Sequence, residues 1–550
     1  MSALAVTLEE DPPPETADNA VKAIEAAPAA IAEPAPAASV ALSWQQKAML
    51  VVGLSGSFLV NVSGPLVAAN IIDVQGGVGL TPDEGSWLVT SYLAASLMGV
   101  ILSGPIVKAF GIRRAYVAAA AVFTLTAILC LRSTDLVWLT AWRGLQGFTA
   151  GFFGPMAFAS TFIVMSKQRL PLGLTVLSFV LVLPPTLSPV LASYLQEAAG
   201  WGSLFVAQVA SGAVMAVAGL FVLPRQPVSW PGLKADWVAL LLLATALGAT
   251  TIVLSQGTRQ FWLESATIVL AFNCAVSAAA GFIFVTLFSP IGILVPALFL
   301  RRGFSIPILL NLAARAGLVV TGYLIPQFLA TVQGYRPGEV ATLLGSAVLF
   351  QLLSMPLAWH LHRFMRGRNI MTLGLLMCGL SAIAAARSTS LTSGPELQWV
   401  AICFVVGVAL FLAADLRIGA LPLKLPELPT ASFAFNISTI GGTTLGTGFA
   451  SNLATEAEKF HSNVLTEHLS PYSPWVSDQL TGLAMHLSSR VADGDASLAG
   501  AASLVAAAAR KQAWVLAFND SFLVVGVILV IAALVAFAVP DNSAPQKIEG

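Results

Sequence analysis

Fourteen apolar stretches, most of them long enough to cross a bilayer, leave this chain few choices of fold. They lie near residues 47–71, 85–107, 114–131, 136–163, 171–195, 200–223, 236–255, 264–288, 304–330, 338–359, 369–387, 396–420, 430–452 and 520–539. About 20 apolar residues in a helix span the hydrocarbon core. Backbone polar groups find no water there, so each stretch must close its own hydrogen bonds. The chain is 57% hydrophobic and 10% charged, against about 25% charged in soluble domains. The reading is an all-α integral membrane protein with 14 transmembrane helices. Zero net charge gives no global basic field and points away from nucleic acid. Cys130, Cys274, Cys378 and Cys403 all fall in apolar stretches and read as buried thiols, with neither a disulfide framework nor metal spacing.

An even number of spans returns both termini to one side, and Lys and Arg concentrate in cytoplasmic loops. With the N-terminus inside, the inner loops hold thirteen Lys and Arg, among them Lys108, Arg113 and Arg114. The short outer loops hold Arg132, Arg259, Arg336 and Arg387. Both termini are therefore expected in the cytoplasm. The first 44 residues are acidic and rich in Pro and Ala, with Pro12 to Pro14 in a row. They lack the basic and apolar regions of a signal peptide and are expected to be disordered. A faint internal repeat pairs Gly104 to Arg114, after the second span, with Pro356 to Arg368, after the tenth. Repeats of this kind build transporters whose halves rock about a central site.

Inside the spans, away from their ends, ionisable residues are few: Arg143, Arg315 and Asp415. Charges there are costly and by default functional. Arg143 is the only formally charged side chain from Leu136 to Ser166, and Gln146 lies one turn on. Beside them Gly144, Gly147, Gly151 and Gly154 are spaced three, four and three apart, a small-residue face that admits a close helix partner. Arg143 is either held beside that contact or snorkels to a nearby surface. Asp415 is the only carboxylate well inside an apolar run, Leu410 to Leu421. A carboxylate poised between burial and a neighbouring cation exchanges protons near neutral pH. Arg417 lies two residues away on another face, so such a cation must come from another helix. Asp415 otherwise reads as a structural ion near a helix end. Arg315 follows Asn311 in the ninth span and suits an anionic substrate group or a carboxylate partner. Tyr323 and Gln327 are wall residues for a wet cavity. No catalytic constellation competes, His461 and His468 lack a third metal ligand, and no P-loop is present.

Several segments resemble the major facilitator superfamily, in particular its fourteen-helix drug:proton antiporters of the EmrB and QacA type. Ser86-Trp87-Leu88-Val89-Thr90-Ser91-Tyr92 resembles the start of the family's second helix, and Gly104 to Arg114 its loop between helices two and three. Arg143-Gly144-Leu145-Gln146-Gly147 is similar to the R-x-x-Q-G of helix four, and Pro184 to Pro189 stands where the antiporter motif of helix five belongs. Phe435-Asn436 resembles helix thirteen, while Lys511 to Ala513 and Phe518 to Phe522 resemble the entry to helix fourteen. The likeness runs over about residues 46–540. Departures matter. Pro184, Ser188, Ala192 and Ser193 replace the usual glycines of helix five, while Pro185 and Pro189 remain. Ser63, flanked by Asn61 and Asn70, stands nearest the family's helix-one acid, Lys108 replaces the acid of the two–three loop, and Thr439 a helix-thirteen arginine.

The resemblance implies a major facilitator fold: two six-helix bundles plus two extra helices. It divides the chain into a tail (1–45), an N-terminal bundle (46–228), two added helices (229–290), five helices of the second bundle (291–452), a periplasmic helical loop (453–515) and the last helix with a short tail (516–550). It implies no enzyme, cofactor or metal. The implied function is secondary efflux of small amphipathic substrates in exchange for protons, from the bacterial inner membrane. The alternatives are an exporter of one metabolite or siderophore, and a non-transporting sensor or scaffold. Charge coupling falls to Asp415, Arg143 and Arg315. The substrate pathway falls to Asn61, Ser63, Asn70, Gln146, Asn311, Tyr323, Gln327 and Asn436. Conformational motifs are Gly104, Lys108, Gly111, Arg113, Arg114, Gly147, Pro185 and Pro189. The 453–515 loop reads as helices Ala454–His468, Trp475–Ala492 and Ala496–Trp514. It either docks a periplasmic membrane-fusion adaptor leading to an outer-membrane channel, or forms a lid.

Overall fold

The computed structural model describes residues 42–166, 168–288, 295–424, 427–467, 469, 473–488 and 494–540. The acidic tail up to Ala41 and His468 lie outside them, and from Trp44 onward the chain forms one compact unit. A helix occupies each of the fourteen expected stretches. They are α1 (Trp44–Ala69), α2 (Pro82–Phe110), α3 (Ile112–Arg132), α4 (Leu136–Val164), α5 (Leu170–Ala199), α6 (Gly202–Val222) and α7 (Trp237–Gln256). Then come α8 (Ala266–Phe288), α9 (Arg302–Gln333), α10 (Pro337–Phe364), α11 (Gly367–Ala385) and α12 (Gly394–Ala420), followed by α13 (Leu428–Glu467) and α14 (Gly494–Ala536). Thirteen are long and apolar enough to cross a membrane. The other, α13, is diluted: twelve of residues 428–452 are Gly, Ser or Thr.

Local sequence sets the boundaries. Thr81 and Glu84 form a capping box at α2, with Pro82 at its first position, and Asp135 accepts the Val137 and Trp138 N–H groups that open α4. Gly111 joins α2 to α3 at φ +82°, a conformation that favours glycine.

The two halves pack alike. In the first, α1 pairs with α5, α2 with α4 and α3 with α6; in the second, α9 pairs with α13, α10 with α12 and α11 with α14. The faint repeat therefore maps onto equivalent loops, α2–α3 and α10–α11. The extra helix α7 lies against α2 and α13, with α8 packed on α7. Small residues set the closest approaches. A Cβ on Gly147 would strike the Tyr92 carbonyl, one on Gly151 the Ser96 carbonyl, and one on Gly446 the Ala316 carbonyl.

Two expectations change. The 453–515 segment is not three separate helices. Its first and last parts continue α13 and α14, which run 40 and 43 residues and so reach about 60 Å at 1.5 Å per residue. Only Pro474–Ser488 stands alone, packed on α14. Helices extend because no Pro interrupts them between Pro429 and Pro471 or between Pro474 and Pro540. Second, Cys130 and Cys378 are buried, but Cys274 and Cys403 are exposed, since apolar stretches here also form the outer, lipid-facing surface.

Candidate functional site

The site grows from prolines in α5. That helix stays continuous from Leu170 to Ala199 with Pro184, Pro185 and Pro189 inside it. Proline has no N–H to give the carbonyl four residues earlier, so Pro185 leaves the Leu181 carbonyl without its usual helical donor. Arg315 Nη1, from α9, donates to that oxygen at 2.9 Å. One residue on, the Val182 carbonyl accepts Gln351 Nε2 from α10 at 3.1 Å. Two buried side chains of the second half thus hold consecutive carbonyls of the first.

Beside this contact lies a cavity of about 110 Å³. Its walls include Asn61 on α1, Tyr92 and Ser96 on α2, Gly154 on α4, Pro185 on α5, Arg315 on α9, and Asn436, Thr439 and Thr443 on α13. Arg315 is the only charged residue among its lining. A smaller void adjoins it, lined in part by Asn311, Leu412, Leu416, Asn436 and Thr439. Asn311 donates to Ser438 Oγ at 2.6 Å. Asn61 Nδ2 and Asn436 Nδ2 donate to their own helices, at Ser57 O and Ser432 O, leaving their amide groups on the wall.

Asp415, on α12, is fully buried, as Arg315 is at 1% exposure. Their helices, α9 and α12, pack against each other, which sets opposite charges on neighbouring helices, the cross-helix arrangement that Arg417, on Asp415's own helix, could not supply. They are not in hydrogen-bond contact: both Asp415 carboxylate oxygens and Arg315 Nε and Nη2 have no hydrogen-bond partner among the described residues. Asp415 borders neither void.

Arg143 forms a second centre. Its guanidinium lies 4.5 Å over the Tyr92 ring, and Nη1 donates to Gln146 Oε1 at 2.7 Å. Gln146 Nε2 donates to Gln208 Oε1 at 2.8 Å, tying α4 to α6. Arg143 is 0% exposed, so it does not snorkel. Tyr92 Oη donates to the Val60 carbonyl and also borders the cavity, which links the two centres.

Other expected site residues stand apart. Ser63 bonds its own helix at Leu59 O, and Asn70 reaches the Ala192 carbonyl. Tyr323 is half-buried and Gln327 exposed, and neither borders the cavity. Gly104 faces the Phe433 ring. At the α2–α3 junction Lys108, in the last turn of α2, and Arg114, in the first turn of α3, are exposed and Arg113 is half-buried. Gly111 lies against the Gln226 side chain, the Ile112 N–H donates to Gln226 Oε1, and Arg114 Nη1 donates to Gln226 O; the loop thus clasps the chain after α6. Pro189 lies in α5 one turn past Pro185. Sequence reasoning missed Gln208 and Gln351. Their signal was plain: each is an amide in mid-span, buried at 1% and 0% exposure, where an unpaired polar group is costly.

Two repeated helical bundles closed over a central cavity, largely apolar but with Arg315 and a few polar side chains on its wall, define a secondary membrane transporter. The chain belongs to the Major Facilitator Superfamily, whose family model matches residues 48–447. The multidrug export protein EmrB of Escherichia coli is 24% identical over 516 residues, covering 92% of this chain and 97% of that protein. The colistin resistance protein EmrB of Acinetobacter baumannii is 22% identical over 443 residues, covering 79% and 86%. Among solved structures, the proton:xylose symporter XylE bound to 6-bromo-6-deoxy-D-glucose matches at TM-score 0.56 and 12% identity, covering 90% of this chain and 96% of that one. That likeness concerns the fold alone.

Proposed function

We propose that this multi-pass membrane protein exports small amphipathic molecules from the bacterial inner membrane in exchange for protons, with both termini cytoplasmic. The observation that carries the reading is the Arg315–Asp415 pair: one member on the cavity wall, its counter-charge sealed behind it on another helix. Proton uptake by Asp415 would leave Arg315 uncompensated in a low-dielectric setting, where an unpaired charge is costly. Arg315 must then find other partners, and substrate and proton act on one pair from opposite sides. The names of the multidrug export and colistin resistance relatives support the substrate class. A periplasmic membrane-fusion adaptor, leading to an outer-membrane channel, suits the long α13–α14 extension. Trp475 and Met485, on the separate Pro474–Ser488 helix, and Leu498 and Leu504, in the first part of α14, are exposed there.

The test uses Asp415→Asn in proteoliposomes. Transport driven by a pH gradient should fall at least about tenfold, the size expected when a charged partner is lost. Substrate counterflow without a gradient should persist. Wild-type behaviour of Asp415→Asn across a pH series would make the carboxylate structural. Absence of counterflow in the wild-type protein would favour a sensor or scaffold.

A further inference from the structure

We infer that Pro185 is a positioning residue for coupling: by withholding an N–H from Leu181, it provides the acceptor through which Arg315 latches the second half of the molecule onto the first. The inference rests on the reading that Asp415 carries the proton.

Proline in a spanning helix is usually discussed as a kink. Here its second consequence is specific. The carbonyl that Pro185 leaves free is the one to which Arg315 donates at 2.9 Å, and freed carbonyls inside a bilayer must be satisfied by a neighbour. Gln351 Nε2 on the adjacent Val182 carbonyl reinforces the same cross-half contact. Arg315 is thereby shared between α5 of one half and Asp415, on α12, of the other. An ionised Asp415 draws the guanidinium toward α12. A protonated Asp415 releases it to hold α5 more firmly. The proton on Asp415 thus sets how tightly α5 is held against α9 and α10.

Few other charges interfere. On the helices packed against α12, there is no charged residue between Leu170 and Tyr194 of α5, between Val340 and Trp359 of α10, or between Asn369 and Ala386 of α11. Between Gly303 and Gln333, α9 carries only Arg315. On α12 itself Arg417 lies two residues from Asp415. On the cavity wall Tyr92 is the only other titratable side chain, and α13 presents none there.

The experiment measures the distance between spin labels at the ends of α5 and α10, in full-length protein in nanodiscs, at acidic and neutral pH. The wild-type protein should shift toward the closer distance on acidification. Pro185→Ala restores an N–H to Leu181 and should lose that shift, by about tenfold in the population ratio for one charge-assisted hydrogen bond. Lactic acid incorporated at position 185 has neither the ring nor the N–H, and should keep it. Pro189→Ala straightens the same helix without touching the Arg315 acceptor, and should also keep it. A wild-type shift in Pro185→Ala, or an equal loss in Pro189→Ala, would overturn the latch. If wild type shows no pH shift, the Asp415 reading fails. The latch then stands only if Pro185→Ala and Arg315→Gln separate the helices at both pH values while Pro189→Ala does not.

Discussion

What a single buried residue can do here depends on what its polar atoms reach. Arg143 stacks on Tyr92 and donates to Gln146, which in turn holds Gln208. Arg143→Ala should lower export at least about tenfold, because hydrogen bonds to charged groups contribute about 1.5–3 kcal/mol, while membrane yield stays unchanged. Arg143→Lys should rescue poorly, since an ammonium lacks the planar fork that stacks and donates together. Normal drug export by the alanine variant, with equal protein in the membrane, would refute this role. Outside the spans, Glu427 accepts the Lys424 N–H at 2.9 Å and pairs with Arg301 at 2.7 Å. These contacts, the backbone N–H first, hold its carboxyl below the usual value of 4.5. A depressed pKa stabilises the fold above the unfolded value and loses that stability as pH falls through the folded one. Thermal unfolding of the wild-type protein should therefore weaken on acidification below about 4.5 more than that of Glu427→Gln. Equal acid sensitivity of the two proteins would show that this carboxylate contributes nothing.

Between elements, glycine spacing sets how closely helices approach. The three-four-three spacing at Gly144 to Gly154 places small residues on one face of α4; α2 uses it from Gly144 to Gly151, while Gly154 meets Asn436 of α13. Not every position matters equally. A Cβ on Gly147 meets the Tyr92 backbone, whereas one on Gly144 finds only Ser91 Cβ, at 3.9 Å, and its carbonyl oxygen just beyond. Gly147→Leu should destabilise the protein by about 1–3 kcal/mol, the range for forced overpacking. Gly144→Ala should be tolerated. Melting temperatures in detergent check the contrast, and equal shifts for both would show that the α2–α4 distance is not set at Gly147. Proline acts at the same scale. The residues of α5 announced a kink, but which carbonyl it freed mattered only once α9 was in place.

Across the whole molecule, the 453–515 segment tests whether transport and partner docking are separable. Removing residues 472–508 deletes the Pro474–Ser488 helix and the first part of α14, all of it away from the cavity. Vesicle transport should survive, while co-purification with an adaptor and whole-cell resistance should be lost. If vesicle transport disappears while adaptor binding survives, the extension is a lid. The number and position of the helices were legible from the chain, because length and apolarity near each span are local quantities that the bilayer reads directly. So were Arg143, Arg315 and Asp415, the charges buried to 1% exposure or less among the described residues, since any charge in such a run stands out. The pairing of Arg315 with Asp415 was not legible. They are a hundred residues apart, and only the packing of α9 against α12 brings their charges within range. Nor was the fate of Asn61, Ser63 and Asn70. All three are polar residues of one helix neighbourhood, yet Asn61 faces the cavity, Ser63 bonds its own backbone and Asn70 holds α5. Helix rotation chooses among them, and rotation is fixed by the neighbours each helix packs against. Local composition fixed what crosses the bilayer; contacts between distant helices fixed which polar groups meet inside it.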